Sequence, residues 1–166
     1  LRCVNDALVG GENVLVSADS IYNNLLENAP HLIKTLTSDF FFQCRGVPTG
    51  KEYISAPIIS MDKGGLRLRF LDHYIKEGHR LAGQPLTDEQ ERGVQYVNSL
   101  FEQSDLQFRA RLEPGQQVVF ANKRMLHART EFTDYNSPKG VYDPAQLDNI
   151  GTANRLMDRT WSFIRD

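Results

Sequence analysis

The residues best suited to chemistry are one histidine and two arginines near the end of the chain. His127 sits in Phe120-Ala-Asn-Lys-Arg-Met-Leu-His-Ala-Arg129, and Arg155 and Arg159 sit in Asn154-Arg-Leu-Met-Asp-Arg-Thr-Trp161. A neutral imidazole is the commonest side-chain ligand for a transition metal, and a guanidinium grips a carboxylate through paired hydrogen bonds. Together they suggest a metal working beside a dicarboxylic acid. For an isolated histidine a core residue bonded to a backbone carbonyl is the preferred reading, and the Leu126-His-Ala-Arg129 context reverses that preference. Arg155 could instead pair with Asp158 or Asp166, and Arg129 could simply support the histidine strand. His31, His73 and His79 have no such context and read as surface or partly buried residues.

These groups need strands to hold them. Residues 1–5 and 13–17 read as short buried strands in a hairpin-like pair, joined through Gly10-Gly11, where glycine opens backbone angles closed to other residues. Phe40-Phe-Phe-Gln-Cys44 and Tyr53-Ile-Ser-Ala-Pro-Ile-Ile-Ser60 are aromatic and β-branched, with Pro57 suited to an edge or bulge. Leu66-Arg-Leu-Arg-Phe70 alternates strictly, as in an antiparallel sheet with one packed and one polar face. A hairpin is expected from 106–112 and 117–121 about the turn Glu113-Pro-Gly-Gln116, and a last strand from Arg155 to Ile164. On that strand alternation would put Arg155, Arg159 and Trp161 on one face.

Helices are expected in three places. Ser17 or Asp19 can cap one that buries Ile21, Leu25 and Leu26. Pro30 suits the first turn of a second carrying Leu32, Ile33 and Leu36, and these two are the only helical block predicted in the first half. Thr87-Asp-Glu-Gln90 is a capping box before the stripe Val94, Val97, Leu100 and Phe101. Residues 133–153 read as a long loop. The fold expected is mainly β with helices, a jelly-roll or cupin-like sandwich.

Composition narrows the partners. The chain has 166 residues, 40% of them hydrophobic and 24% charged, enough for one globular domain. A net charge of −2, without a basic block, gives no field to gather nucleic acid. No apolar run approaches the roughly 20 residues of a membrane-spanning helix. Cys3 and Cys44 have neither CxxC nor zinc-ligand spacing, which suits a reducing compartment. A soluble, cytoplasmic protein with a small-molecule partner is the expectation. A mitochondrial location would need an upstream transit peptide, and homo-oligomerisation is left open.

The chain resembles the iron(II)- and 2-oxoglutarate-dependent dioxygenases of the taurine dioxygenase and clavaminate synthase-like superfamily. Within it, the nearest branch is that of the gamma-butyrobetaine and trimethyllysine hydroxylases. The resemblance is carried by Leu1-Arg-Cys-Val4, Gly10-Gly-Glu-Asn-Val-Leu-Val16, Leu112-Glu-Pro-Gly115, the His127 segment, Arg155 and Arg159, and it runs almost end to end. It implies a double-stranded β-helix of which residues 1–166 are the C-terminal part, a partial domain. It also implies hydroxylation, with dioxygen, of an unactivated C–H bond in a small amino acid, betaine or sulfonate.

On the same resemblance His127 is the distal histidine of the iron site, and Arg155 meets the far carboxylate of 2-oxoglutarate. Asn13 stands where relatives carry threonine or serine beside that carboxylate. Arg159, Trp161 and Asp72 would contact substrate, although Trp161 also suits a core position and Asp72 an exposed turn. The family's HxD or HxE motif does not occur in residues 1–166. An upstream continuation is therefore expected. The alternatives are an inactive or truncated module that binds a small acid, and a related halogenase with HxG or HxA upstream.

Overall fold

The structure is a computed structural model that describes residues 1–44, 50–134 and 155–160. The chain divides into two compact units. The first comprises 1–15, 108–120 and 127–166, and the second 16–107 and 121–126.

The first unit is built of strands, with no helix among its described residues. β1 (Arg2–Asn5) pairs antiparallel with β11 (Leu156–Asp158), setting Cys3 opposite Met157, with a register shift between Cys3 and Asn5. β2 (Val9–Gly10) pairs with β10 (Phe132–Thr133). β3 (Asn13–Ser17) lies between β8 (Gln107–Ala110) and β9 (Met125–Arg129). The expected hairpin of β1 with β3 is therefore wrong. Both strands lie where the sequence predicts them, but alternation fixes only which side chains are buried, and partner choice is made by packing.

The expected strand at 117–121 also fails. Only Gln117 bridges, to Arg2, with Cys3 N–H donating to Gln116 O at 2.9 Å and Val118 N–H to Leu1 O at 2.9 Å. β11 is short as well: Arg155 and Arg159 flank it, the first half-buried and the second exposed. Trp161, most of the expected 133–153 loop and residues 161–164 of the expected last strand lie outside the described residues.

The second unit holds the four α-helices found among the described residues: α1 (Ala18–Asn28), α2 (Ile33–Leu36), α3 (Asp72–Leu81) and α4 (Asp88–Phe101). Ser17 caps α1 by accepting from Asp19 N–H. Ile21 and Leu25 are buried there, whereas Leu26, expected inside, is 49% exposed. Pro30 opens a 3-10 turn that runs into α2. The capping box of α4 forms as expected, Thr87 Oγ1 accepting from Gln90 N–H at 3.2 Å and Gln90 Oε1 from Thr87 N–H at 3.0 Å. Gln90 Nε2 also donates to Asp39 O at 3.3 Å, tying α4 to β4 (Asp39–Gln43).

α3 has no counterpart among the helices expected from sequence. Its stretch carries only one aliphatic inward residue, Ile75, with Gly78 and His79 completing the buried face. Helix formation there comes from packing on β4 rather than from an apolar stripe. Gly78 allows close approach, because a Cβ at that position would stand 2.7 Å from the Phe42 Cα. His79, expected near the surface, is 4% exposed. Its Nε2 accepts the Phe41 N–H at 3.2 Å, which leaves Nδ1–H to donate to Gln84 O at 2.8 Å.

β4 pairs with β5 (Tyr53–Pro57), and β6 (Ile59–Asp62) with β7 (Gly65–Leu68), both antiparallel. The single strand expected from Tyr53 to Ser60 is thus two, broken at Ile58. Pro57 ends β5 in a two-stranded sheet, the edge position open to a residue without an N–H. One core joins Val16, Ile21, Leu25, Leu36, Phe40, Ile58, Leu66, Leu68, Ile75, Val94, Val97 and Leu100.

Candidate active site

The His127 motif divides between the two units. Residues 121–126 are structural within the second: Lys123 O accepts Leu68 N–H at 3.0 Å, Arg124 O accepts Ala18 N–H at 2.9 Å, and Arg124 pairs with Asp19 at 3.0 Å. From His127 onward the chain belongs to the strand-built unit. There the imidazole is half-buried, its ring 5.1 Å from that of Phe120 in a tilted contact. Burial, with the positive charge of Arg159 second, pushes its pKa below the usual histidine value. Both causes favour the neutral ring, the form that can ligate a metal.

Arg155 is positioned from several sides. Its backbone N–H donates to Oδ1 of the buried Asp134 at 2.8 Å, and its Nη2 donates to Gly11 O at 3.3 Å. The side chain lies so close over Gly11 that a Cβ there would stand 2.9 Å from Nε. Gly10 and Gly11 both have positive φ, 73° and 75°, the conformations expected of the pair. The segment is pinned by Gly11 N–H to Glu131 O at 3.1 Å, Glu12 N–H to Thr130 Oγ1 at 3.0 Å and Thr130 N–H to Glu12 O at 3.0 Å. Burial and then the neighbouring Arg129 lower the pKa of Arg155, while Cys3, Asp6 and Asp134 oppose this. Asp6 and Asp134 are acids whose charges act on Arg155, and Asp166 lies outside the described residues.

Asn13 is 6% exposed, and its Nδ2 donates to Ala110 O on β8 at 3.4 Å. That contact bridges adjacent strands and leaves the second amide hydrogen for other use. Asp72 lies in the other unit as the first residue of α3; Oδ2 accepts from Lys76 at 2.9 Å, and Oδ1 is buried without a hydrogen-bond partner. Sequence reasoning missed Gly11 as the floor under Arg155, and gave no role to Phe132 or Asp134. The adjacent glycines were the available signal for the first. The other two lie more than 20 residues from Arg155, and no local pattern reveals such a contact.

A half-buried guanidinium with N–H donors beyond the one given to Gly11 suits one carboxylate of a dicarboxylic acid. For iron the fit is incomplete. His127 has the chemistry of one ligand, but no group of three His, Cys, Asp or Glu side chains comes together among the described residues. These residues do not build a whole metal site. No helix among them is long and apolar enough to cross a membrane.

The profile of the taurine catabolism dioxygenase TauD, TfdA family matches residues 1–141, which include His127. The chain belongs to this family. The match stops short of Arg155 and Arg159. A taurine hydroxylase-like protein of Stachybotrys chartarum is 30% identical over 135 residues, 80% of this chain and 34% of the relative. The FR-33289 synthase of Streptomyces rubellomurinus is 29% identical over 138 residues, 81% of this chain and 40% of the relative. The chain thus spans between a third and two fifths of the length of these curated relatives. The crystal structure of asparagine oxygenase with Fe(II), hydroxyasparagine and succinate superposes with a TM-score of 0.60 at 18% identity, over 83% of this chain and 40% of that one. At that identity the likeness concerns the fold alone.

Proposed function

We propose that residues 1–166 form the C-terminal part of a double-stranded β-helix in an iron(II)- and 2-oxoglutarate-dependent oxygenase that hydroxylates a small molecule. The observation that carries the reading is the placing of Arg155 over Gly11 in the same strand-built unit as His127, in a chain of the TauD, TfdA family. Bound iron and 2-oxoglutarate would supply the oxidising power for attack on an unactivated C–H bond.

The protein's part is positioning. His127 offers a neutral nitrogen because burial and Arg159 hold off its protonation. Arg155 orients the co-substrate through its far carboxylate, in a half-buried place where a charged hydrogen bond is stronger than in water. Asn13 is proposed to assist through its remaining amide hydrogen. Arg159 puts positive charge near His127 and favours a substrate with an acid group, as in amino acids and sulfonates, over one recognised only by a quaternary ammonium. Trp161 is retained as a substrate contact.

The test is succinate release by the full polypeptide that contains these residues, with iron(II), 2-oxoglutarate, and a panel of amino acids, betaines and sulfonates. Turnover, coupled or uncoupled, should be lost in His127→Ala. Succinate release that survives His127→Ala would overturn the assignment. Retention of 2-oxoglutarate without any turnover would favour the binding-only alternative, and chlorination of a substrate the halogenase.

A further inference from the structure

Arg129 stands two residues beyond His127 and is exposed, yet its side chain is not loose. Its guanidinium carbon lies 3.9 Å from the centre of the Phe132 ring. The Arg155 guanidinium carbon lies 5.6 Å from the centre of the same ring. Both distances are within the range in which a cation is attracted by an aromatic face. Phe132 is itself fixed: it belongs to β10, pairs with Gly10, and is therefore carried on the backbone that supplies the Gly11 floor. One ring thus serves two like charges that would otherwise repel.

We propose that Phe132 and Arg129 are positioning residues for Arg155, the ring and the Gly11 backbone together forming a slot that fixes the direction in which Arg155 presents its N–H donors to the distal carboxylate of the co-substrate. This rests on the proposed function. A guanidinium has five N–H donors in a rigid plane, so the plane must be turned correctly before two of them can meet one carboxylate. The Gly11 carbonyl holds Nη2, and the ring, 5.6 Å from the guanidinium carbon, stands close enough to limit its rotation. Arg129, stacked more closely on the ring, holds it in place. As a second cation nearby it also raises the attraction for an anion at Arg155, while Asp6, whose Oδ2 accepts from Arg111 Nε at 2.7 Å, has an arginine of its own.

The experiment compares binding of 2-oxoglutarate with that of 2-oxobutyrate, which keeps the oxo-acid end but lacks the distal carboxylate. Calorimetry on the full polypeptide with iron(II), under anaerobic conditions, is run for Phe132→Leu, Phe132→Tyr, Arg129→Gln and Arg155→Gln. Phe132→Leu and Arg129→Gln should each weaken 2-oxoglutarate about five- to thirtyfold, the scale of a cation–π contact, and leave 2-oxobutyrate unchanged. Phe132→Tyr, which keeps the ring, should bind as the parent does. The inference is overturned if Arg155→Gln weakens 2-oxoglutarate while Phe132→Leu and Arg129→Gln do not, or if Phe132→Leu weakens both acids equally. Arg129→Gln, at an exposed position, decides the matter should Phe132→Leu fail to fold. Failure of the functional reading looks different: 2-oxoglutarate is then not bound by the parent protein, or Arg155→Gln binds it unchanged, and both proposals fall.

Discussion

The side chain of Arg155 lies across the backbone of Gly11, donating to its carbonyl at 3.3 Å, at a point where any Cβ would meet Nε at 2.9 Å. The two residues are 144 positions apart in sequence. Gly11 at φ +75° is doubly required, by its own backbone and by the guanidinium above it.

Gly11→Ala is therefore expected to lower stability by about 1–3 kcal/mol, combining the left-handed conformation of a residue with a Cβ and the displacement of Arg155. Urea denaturation of the full polypeptide measures this. An unchanged midpoint at unchanged slope would show that the segment relaxes without cost.

Gly78→Ala should behave contrary to helix propensity. In an exposed helix alanine gains roughly 1 kcal/mol over glycine. In α3 the new methyl would stand 2.7 Å from Phe42 Cα, so helix and strand must separate. A net loss of about 2 kcal/mol or more is expected by thermal or urea unfolding. Stabilisation would mean that α3 does not sit directly against β4.

Replacing His79 by alanine leaves the Phe41 N–H and the Gln84 carbonyl without partners inside the second unit. The expected cost is about 2–4 kcal/mol, and hydrogen exchange at the Phe41 amide should accelerate. A Phe41 amide that stays protected in the variant would show that the imidazole is not its acceptor.

For His127 the pKa in the fold is depressed, first by burial and next by Arg159. The unfolded chain then takes up a proton more readily than the folded one, so this group's contribution to stability is present above the ordinary histidine pKa and is lost as pH falls through the depressed one. Arg159→Gln should move the titration upward, toward the ordinary value, as read by NMR of the imidazole. A downward move, or none, would remove Arg159 from the neighbourhood of the ring.

Local physics explains which features were legible in the sequence. Ser17 and the Thr87–Gln90 box are self-contained, because a cap needs only residues within one turn, and the Leu66–Leu68 alternation reports burial directly. Gly10-Gly11 announced its backbone angles for the same reason. α3 was hidden because its inward face is Ile75, Gly78 and His79 rather than a stripe of large apolar residues, and what holds it is the surface of β4.

The sequence singled out His127, Arg155 and Arg159 as the groups suited to chemistry, and the family match over residues 1–141 includes the first of them. The tertiary structure alone decided that β1 pairs with β11 and not with β3, that Arg155 rests on Gly11, and that the Phe132 ring is within cation–π distance of both Arg155 and Arg129. A strand's alternation specifies its buried face but not its neighbour. A guanidinium's orientation depends on carbonyls and rings brought from distant segments, and only the folded backbone places them.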